Sequence, residues 1–122
     1  MFGFGKVEVK TLDINEGYRN YEHAPEKYMI ICVDEVNHYD ALHMAGAECF
    51  PVRLIDEVED YYPEKDLIYY VYSIKAPLSH KAAKVMTKKG YDVYDLGCYV
   101  NFKGEEEGLN AKRKRRKGKK KR

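Results

Sequence analysis

Tryptophan is absent from this 122-residue chain, proline occurs four times and cysteine only three times. The cysteines, Cys32, Cys49 and Cys98, are odd in number and form no close C-x-x-C pair, which excludes a disulfide framework or a zinc cluster as the organising element. Long apolar runs are missing too. Residues 29–33 (MIICV) fall far short of the roughly 20 that a spanning helix needs, so no membrane span is expected. The opening MFGFGKVEVK lacks the basic-then-apolar layout of a signal peptide, which leads to the expectation of a cytoplasmic chain with free thiols. Cys32, His38 and His43 are too loosely spaced for a metal site, and nothing calls for a cofactor. No segment repeats.

What is present is a single domain's worth of core. The chain is 44% hydrophobic with 12 Tyr and 4 Phe, enough to bury a core without staples. A net charge of +2 conceals a lopsided distribution. All 20 Asp and Glu lie in residues 1–111 against 12 Lys and Arg, a net of −8 for the body. The other ten cations are Lys112, Arg113, Lys114, Arg115, Arg116, Lys117, Lys119, Lys120, Lys121 and Arg122. Such a run repels itself and has nothing to bury, so the chain divides into a domain at 1–107 and a disordered polybasic tail at 108–122.

Within the body, β-prone runs alternate with helical ones, the pattern of a parallel sheet covered on both faces. Residues 6–10 (KVEVK) alternate as an edge strand does, and Asp13 with Glu16 can open a helix that runs to Tyr21. Residues 28–33 (YMIICV) are continuously apolar, as a strand buried on both faces requires. A short helix at 36–42, a strand at 48–52 ended by Pro51, and a helix at 54–62 stopped by Pro63 follow. Residues 67–72 (LIYYVY) are the most β-prone run, Ser79 is placed to cap a helix at 82–89 that Gly90 ends, and 92–96 form the last strand before a helix after Tyr99. Ligand sites in such sheets lie beyond the carboxyl ends of the strands.

Three segments in order resemble the rhodanese-like family of single-domain sulfurtransferases. Residues 29–52 (MIICVDEVNHYDALHMAGAECFPV) are similar to ΦΦΦDVRxxxEYxxGHIPGAxxIP, with Tyr39, His43, Gly46, Ala47 and Pro51 in place. Residues 67–96 resemble a strand ending VYC, a CxxGxRS loop, a helix, GY and a final strand; LGCYVNF at 96–102 is similar to the closing LGGIxxW. The resemblance spans roughly residues 7–102 and implies a three-layer α/β/α domain with a five-stranded parallel sheet. It also implies a reaction in which a cysteine at the end of the fourth strand carries a persulfide. That thiolate would be held by backbone N–H groups of its loop and by the following helix.

The departures fall on the chemically demanding positions. Ser73 stands where the resemblance puts the persulfide cysteine, and a serine oxygen carries no transferable sulfur. In the rest of that segment, Ile74, Lys75, Ala76, Pro77, Leu78 and Ser79, Ala76 replaces a glycine and would strain a positive φ, Pro77 removes an amide donor, and Leu78 replaces the substrate-holding arginine. Cys32 and Asp34 replace an Asp and an Arg at the second strand's exit, and Cys98 and Phe102 replace the closing Gly and Trp. Ser73 with His80 as base lacks the elbow and third member of a triad. Cys98 or Cys32 could be a relocated sulfur-carrying thiol, whereas Cys49 is structural. The residues read as a rhodanese-like domain that has lost catalysis and acts as a binding or regulatory module, with a protein partner at the old active-site rim. The alternatives are a sulfurtransferase working through Cys98 or Cys32, and a nucleic-acid- or ribosome-associated protein acting through the tail.

No aromatic residue interrupts the tail, so any nucleic-acid binding rests on phosphate charge rather than base stacking. Affinity for single strands is expected to be sequence-independent and to fall with log[salt] at a slope of about −0.7 per phosphate neutralised. Filter binding before and after truncation at Ala111 checks this. Binding that survives truncation would move the site onto the domain.

Overall fold

The computed structural model describes residues 7–111. The cations at 112–122, and the nucleic-acid expectation attached to them, lie outside the described residues. Strand β1 (Lys10–Thr11) leads into helix α1 (Ile14–His23), β2 (Tyr28–Cys32) and α2 (Val36–Ala41). The short strands β3 (His43–Met44) and β4 (Glu48–Cys49) precede a 3-10 segment, Val52–Glu57, that runs into the single turn α3 (Val58–Tyr61). Then come β5 (Ile68–Ser73), α4 (Ala76–Lys88), β6 (Asp92–Cys98) and β7 (Glu106–Glu107). Five strands form one parallel sheet in the order β1-β6-β5-β2-β4, as the expected α/β/α architecture requires.

Alternation along β5 divides the core into two layers. Tyr69 and Val71 face α3 and α4, where Ile55, Val58, Ala82, Ala83 and Met86 pack with Ile31, Val33 and Val93. Tyr70 and Tyr72 face the other way, onto Ile14 and Tyr18 of α1 with Ile30, Cys32, Met44 and Leu96. Helix α1 starts where Asp13 places it: its carboxylate accepts the N–H groups of Asn15 at 3.0 Å and Glu16 at 3.1 Å. Gly17 lets α1 approach the sheet, because a Cβ there would stand 2.9 Å from Leu96 Cδ2. Gly90 ends α4 with φ +95°, a conformation that favours glycine.

Several elements differ from the sequence expectation. The strand expected at 6–10 forms at Lys10–Thr11, where β6 supplies partners at Tyr94 and Asp95. The helix expected at 54–62 begins two residues earlier as a 3-10 segment, Val52–Glu57, and becomes α only over Val58–Tyr61. Ser79 does not cap a later helix; α4 already begins at Ala76 and Ser79 is buried inside it, its hydroxyl donating to the Ala76 carbonyl at 3.0 Å. A 3-10 turn, Tyr99–Asn101, stands in place of a helix after Tyr99. Antiparallel pairing of β3 with β7 was not legible in two-residue strands. Of residues 108–111, counted with the tail in the sequence, Leu109 is exposed and Ala111 is buried.

Asp13→Ala is expected to destabilise the domain by about 1 kcal/mol, because two amides of α1 lose their acceptor, while Asp13→Asn retains most of the cap. Urea unfolding midpoints of the two variants check this.

Candidate functional site

The carboxyl ends of β2, β5 and β6 meet at one rim. Ser73 closes β5 and is completely buried. Its hydroxyl donates to the Lys75 carbonyl, and its Oγ accepts the Ser79 N–H at 3.2 Å. Both hydrogen-bonding roles are therefore satisfied within its own turn, and the oxygen has no open side from which to attack a substrate. His80, the base that a serine nucleophile would need, is an exposed residue whose Nδ1 lies 3.8 Å from Asp95 Oδ2 instead.

The segment after Ser73 is shorter than the sequence suggests. Only Ile74 and Lys75 link β5 to α4, and Ala76, Pro77, Leu78 and Ser79 form the first turn of that helix. The strain expected at Ala76 is absent, since it takes a helical backbone. Pro77 lies in the first helical turn, where an N–H has no intrahelical acceptor, so its missing donor costs the helix nothing.

Asp34 is the residue whose importance the sequence conceals. It sits just beyond β2, is 5% exposed, and turns its carboxylate across to the loop. The Ile74 N–H donates to Asp34 Oδ2 at 2.9 Å and Oδ1 at 3.2 Å, and the Cys32 thiol lies 3.4 Å from Oδ2. A carboxylate thus occupies an amide of the very turn in which the resemblance implies an anion cradle. In sequence Asp34 registers only as an arginine replaced; its partner is 40 residues away.

The two candidate thiols part company here. Cys32 is buried, and burial pushes its thiol up to about 12, so near neutral pH it remains protonated. Cys98 closes β6 in register with Ser73, is only partly buried, and donates its S–H to the Ile74 carbonyl at 2.9 Å. Its thiol thus lies against the loop after β5 rather than in the core. Cys49 pairs in register with Cys32 on β4, and its thiol contacts the Asp34 carbonyl at 3.5 Å.

A cavity of about 180 Å³ opens beside these groups, walled by Asp34, Glu35, His38, Ile74, Lys75 and Leu78. A larger one, about 460 Å³, lies between Asp40, His43, Gly108 and Leu109, beside the β3–β7 pair. His43 is a packing residue: its ring stacks on Tyr39 at 3.7 Å between centroids, and its Nδ1 meets the Tyr39 carbonyl at 2.6 Å. Among the described residues no group of three or more His, Cys, Asp or Glu side chains is placed to hold a metal. No helix among them is long and apolar enough to cross a membrane.

The sequence matches no family model and no curated protein. Solved structures do match. A protein from Bacillus halodurans superposes with a TM-score of 0.70 at 21% identity, covering 82% of this chain and 77% of its own. A rhodanese-like domain from Anabaena gives 0.69 at 20%, covering 84% and 81%. The Escherichia coli "rhodanese with anions" gives 0.61 at 20%, covering 67% and 99%. With its parallel sheet in the order β1-β6-β5-β2-β4 between two helical layers, the chain folds as a rhodanese-like domain.

Proposed function

We propose that this rhodanese-like domain has given up sulfur transfer and acts as a binding or regulatory module through the rim at the ends of β2, β5 and β6. The observation that carries this reading is the buried Ser73 hydroxyl, closed between the Lys75 carbonyl and the Ser79 N–H. Persulfide chemistry at this position needs a thiolate surrounded by uncommitted amides. Here the reacting atom is an oxygen, the Ser79 amide is already used, and the Ile74 amide is held by Asp34. Leu78 offers no charge to an anionic substrate. Exposed apolar side chains favour a protein partner instead: Val36, Ile74 and Val100 follow the ends of β2, β5 and β6, three neighbouring strands.

The relocated-thiol reading keeps one specific support, the contact of Cys98 Sγ with the Ile74 carbonyl at 2.9 Å on the same rim. Cys32 loses its place in that reading, because a thiol held up at about 12 supplies almost no thiolate near neutral pH.

The protein is expected to show no transfer of sulfur from thiosulfate to cyanide above a no-protein control. Turnover abolished by Cys98→Ser would replace the inactive reading with the relocated one. Ser73→Cys alone should restore little, since Asp34 still holds the Ile74 amide and position 78 remains apolar; family-like turnover in that variant would show that the turn is intact. Alkylation by iodoacetamide at pH 8, followed by mass spectrometry, should label Cys98 first and Cys32 only after unfolding. Labelling of Cys32 in the folded protein at a rate equal to Cys98 contradicts its burial.

A further inference from the structure

Two of the three thiols stand side by side. Cys32 of β2 and Cys49 of β4 are partners in the parallel register, so both side chains leave the sheet on the same face. Neighbouring strands lie about 4.8 Å apart, inside the Cα separation of about 4.4–6.8 Å that a disulfide spans. Both thiols also meet one residue: the Cys32 S–H donates to Asp34 Oδ2 at 3.4 Å, and the Cys49 S–H donates to the Asp34 carbonyl at 3.5 Å. Tyr39 reports the same proximity, because after burial both Cys49 and Cys32 raise its hydroxyl.

The two cysteines differ in access and in freedom to move. Cys32 is buried, whereas Cys49 is half-buried on β4, a two-residue strand at the edge of the sheet. Strand β4 is held to β2 at Ile31 and Cys32, and the turn that precedes it passes through Gly46 at φ +88°. A small rotation of this edge toward β2 brings the sulfurs together and leaves the pairing of β2, β5 and β6 intact. A small oxidant therefore reaches Cys49 first, with Cys32 next to it in the core.

We propose that Cys32 and Cys49 are a reversible redox pair that closes to a disulfide with a hydroperoxide as oxidant and resets the rim through Asp34. The Cys49 thiolate attacks the peroxide O–O bond and takes one oxygen as a sulfenic acid; the other oxygen leaves as hydroxide and gains a proton from solvent to become water. The Cys32 sulfur then attacks the Cys49 sulfur. Its proton passes to the neighbouring Asp34 carboxylate and on to the departing hydroxide, so the S–O bond breaks with release of a second water. Two thiols are oxidised and one peroxide is reduced, and a dithiol reverses the bridge by exchange. Closure removes both thiol contacts of Asp34 at once, and Asp34 holds the Ile74 amide. The state of the pair is thereby transmitted to the loop after β5. The pair lies apart from Ser73 and does not depend on the loss of sulfur transfer.

The test treats the reduced full-length protein with hydrogen peroxide, denatures it in iodoacetamide and digests it with trypsin. Cys32 and Cys49 fall in one tryptic peptide, 28–53, which excludes Cys98. By mass spectrometry that peptide is expected to be two hydrogens lighter and free of alkyl groups, and to carry two alkyl groups when dithiothreitol precedes alkylation. The rim is read in a Cys98→Ser background, which removes the thiol that touches the Ile74 carbonyl. There the amide resonance of Ile74 should move on oxidation and return on reduction. Adding Cys49→Ser, at the sheet edge, should leave Cys32 reduced at the same peroxide dose and abolish that shift. A peptide 28–53 that still takes two alkyl groups overturns the proposal, as does Cys49 sulfinic acid without a bridge. So does a bridge that joins Cys98, links two chains or forms only in urea. A bridged protein whose Ile74 amide has not moved also overturns it.

Discussion

Strand β5 lies between β2 and β6 with both faces covered, so everything it presents must be apolar or must find a hydrogen-bond partner inside the domain. Three of its residues are tyrosines, which makes this constraint organise the layers around it. The Tyr69 hydroxyl donates to the Glu64 carbonyl at 2.5 Å and anchors the loop entering the strand. Tyr70 meets the Asn20 side chain at 3.1 Å and ties the sheet to α1. Tyr72 accepts the Met44 N–H at 3.0 Å and fixes β3, which in turn pairs with β7. Rings fill the two core layers while the hydroxyls reach the periphery.

Ser73 continues that logic at the strand's end. A buried hydroxyl needs its partners, and it finds them in Lys75 and Ser79 by drawing α4 down to within two residues of the strand. Asp34 completes the closure from β2 by taking the next amide, at Ile74. Two polar groups thus replace an incoming anion with internal acceptors. The same turn that in the resembling family implies chemistry here supports itself, and only the Cys98 thiol is left along its edge.

The charge distribution extends this closure to the surface. Asp34 and Glu35 stand beside the rim with Lys75 across the cavity from them, and α2 and β4 add Asp40 and Glu48 nearby.

Much of the fold was legible because local rules and burial agree. The apolar run of residues 28–33, the β-prone 67–72, the Asp13 cap and the Gly90 stop each depend on neighbours within a few positions, and each became an element with its end in place within a residue or two. The spacing of Tyr39, His43, Gly46 and Ala47 pointed to the family fold for the same reason, since packing positions hold their register. The start of α4 was misjudged because Ser79 and Pro77 carry strong local signals, yet the helix is anchored by Ser73, six residues before its capping partner. The hydrogen-bonding role of Asp34 could not be read: its amide partner is brought across from β5 by the pairing of β2 with it, and Gly97 and Cys98 meet β5 only after a register shift at Val71 and Tyr72. Sequence alone determined the layers, the serine at position 73 and the segregation of charge. Only the tertiary structure decided that the rim is closed from within, because a buried carboxylate and a buried hydroxyl find their partners through sheet pairing rather than along the chain.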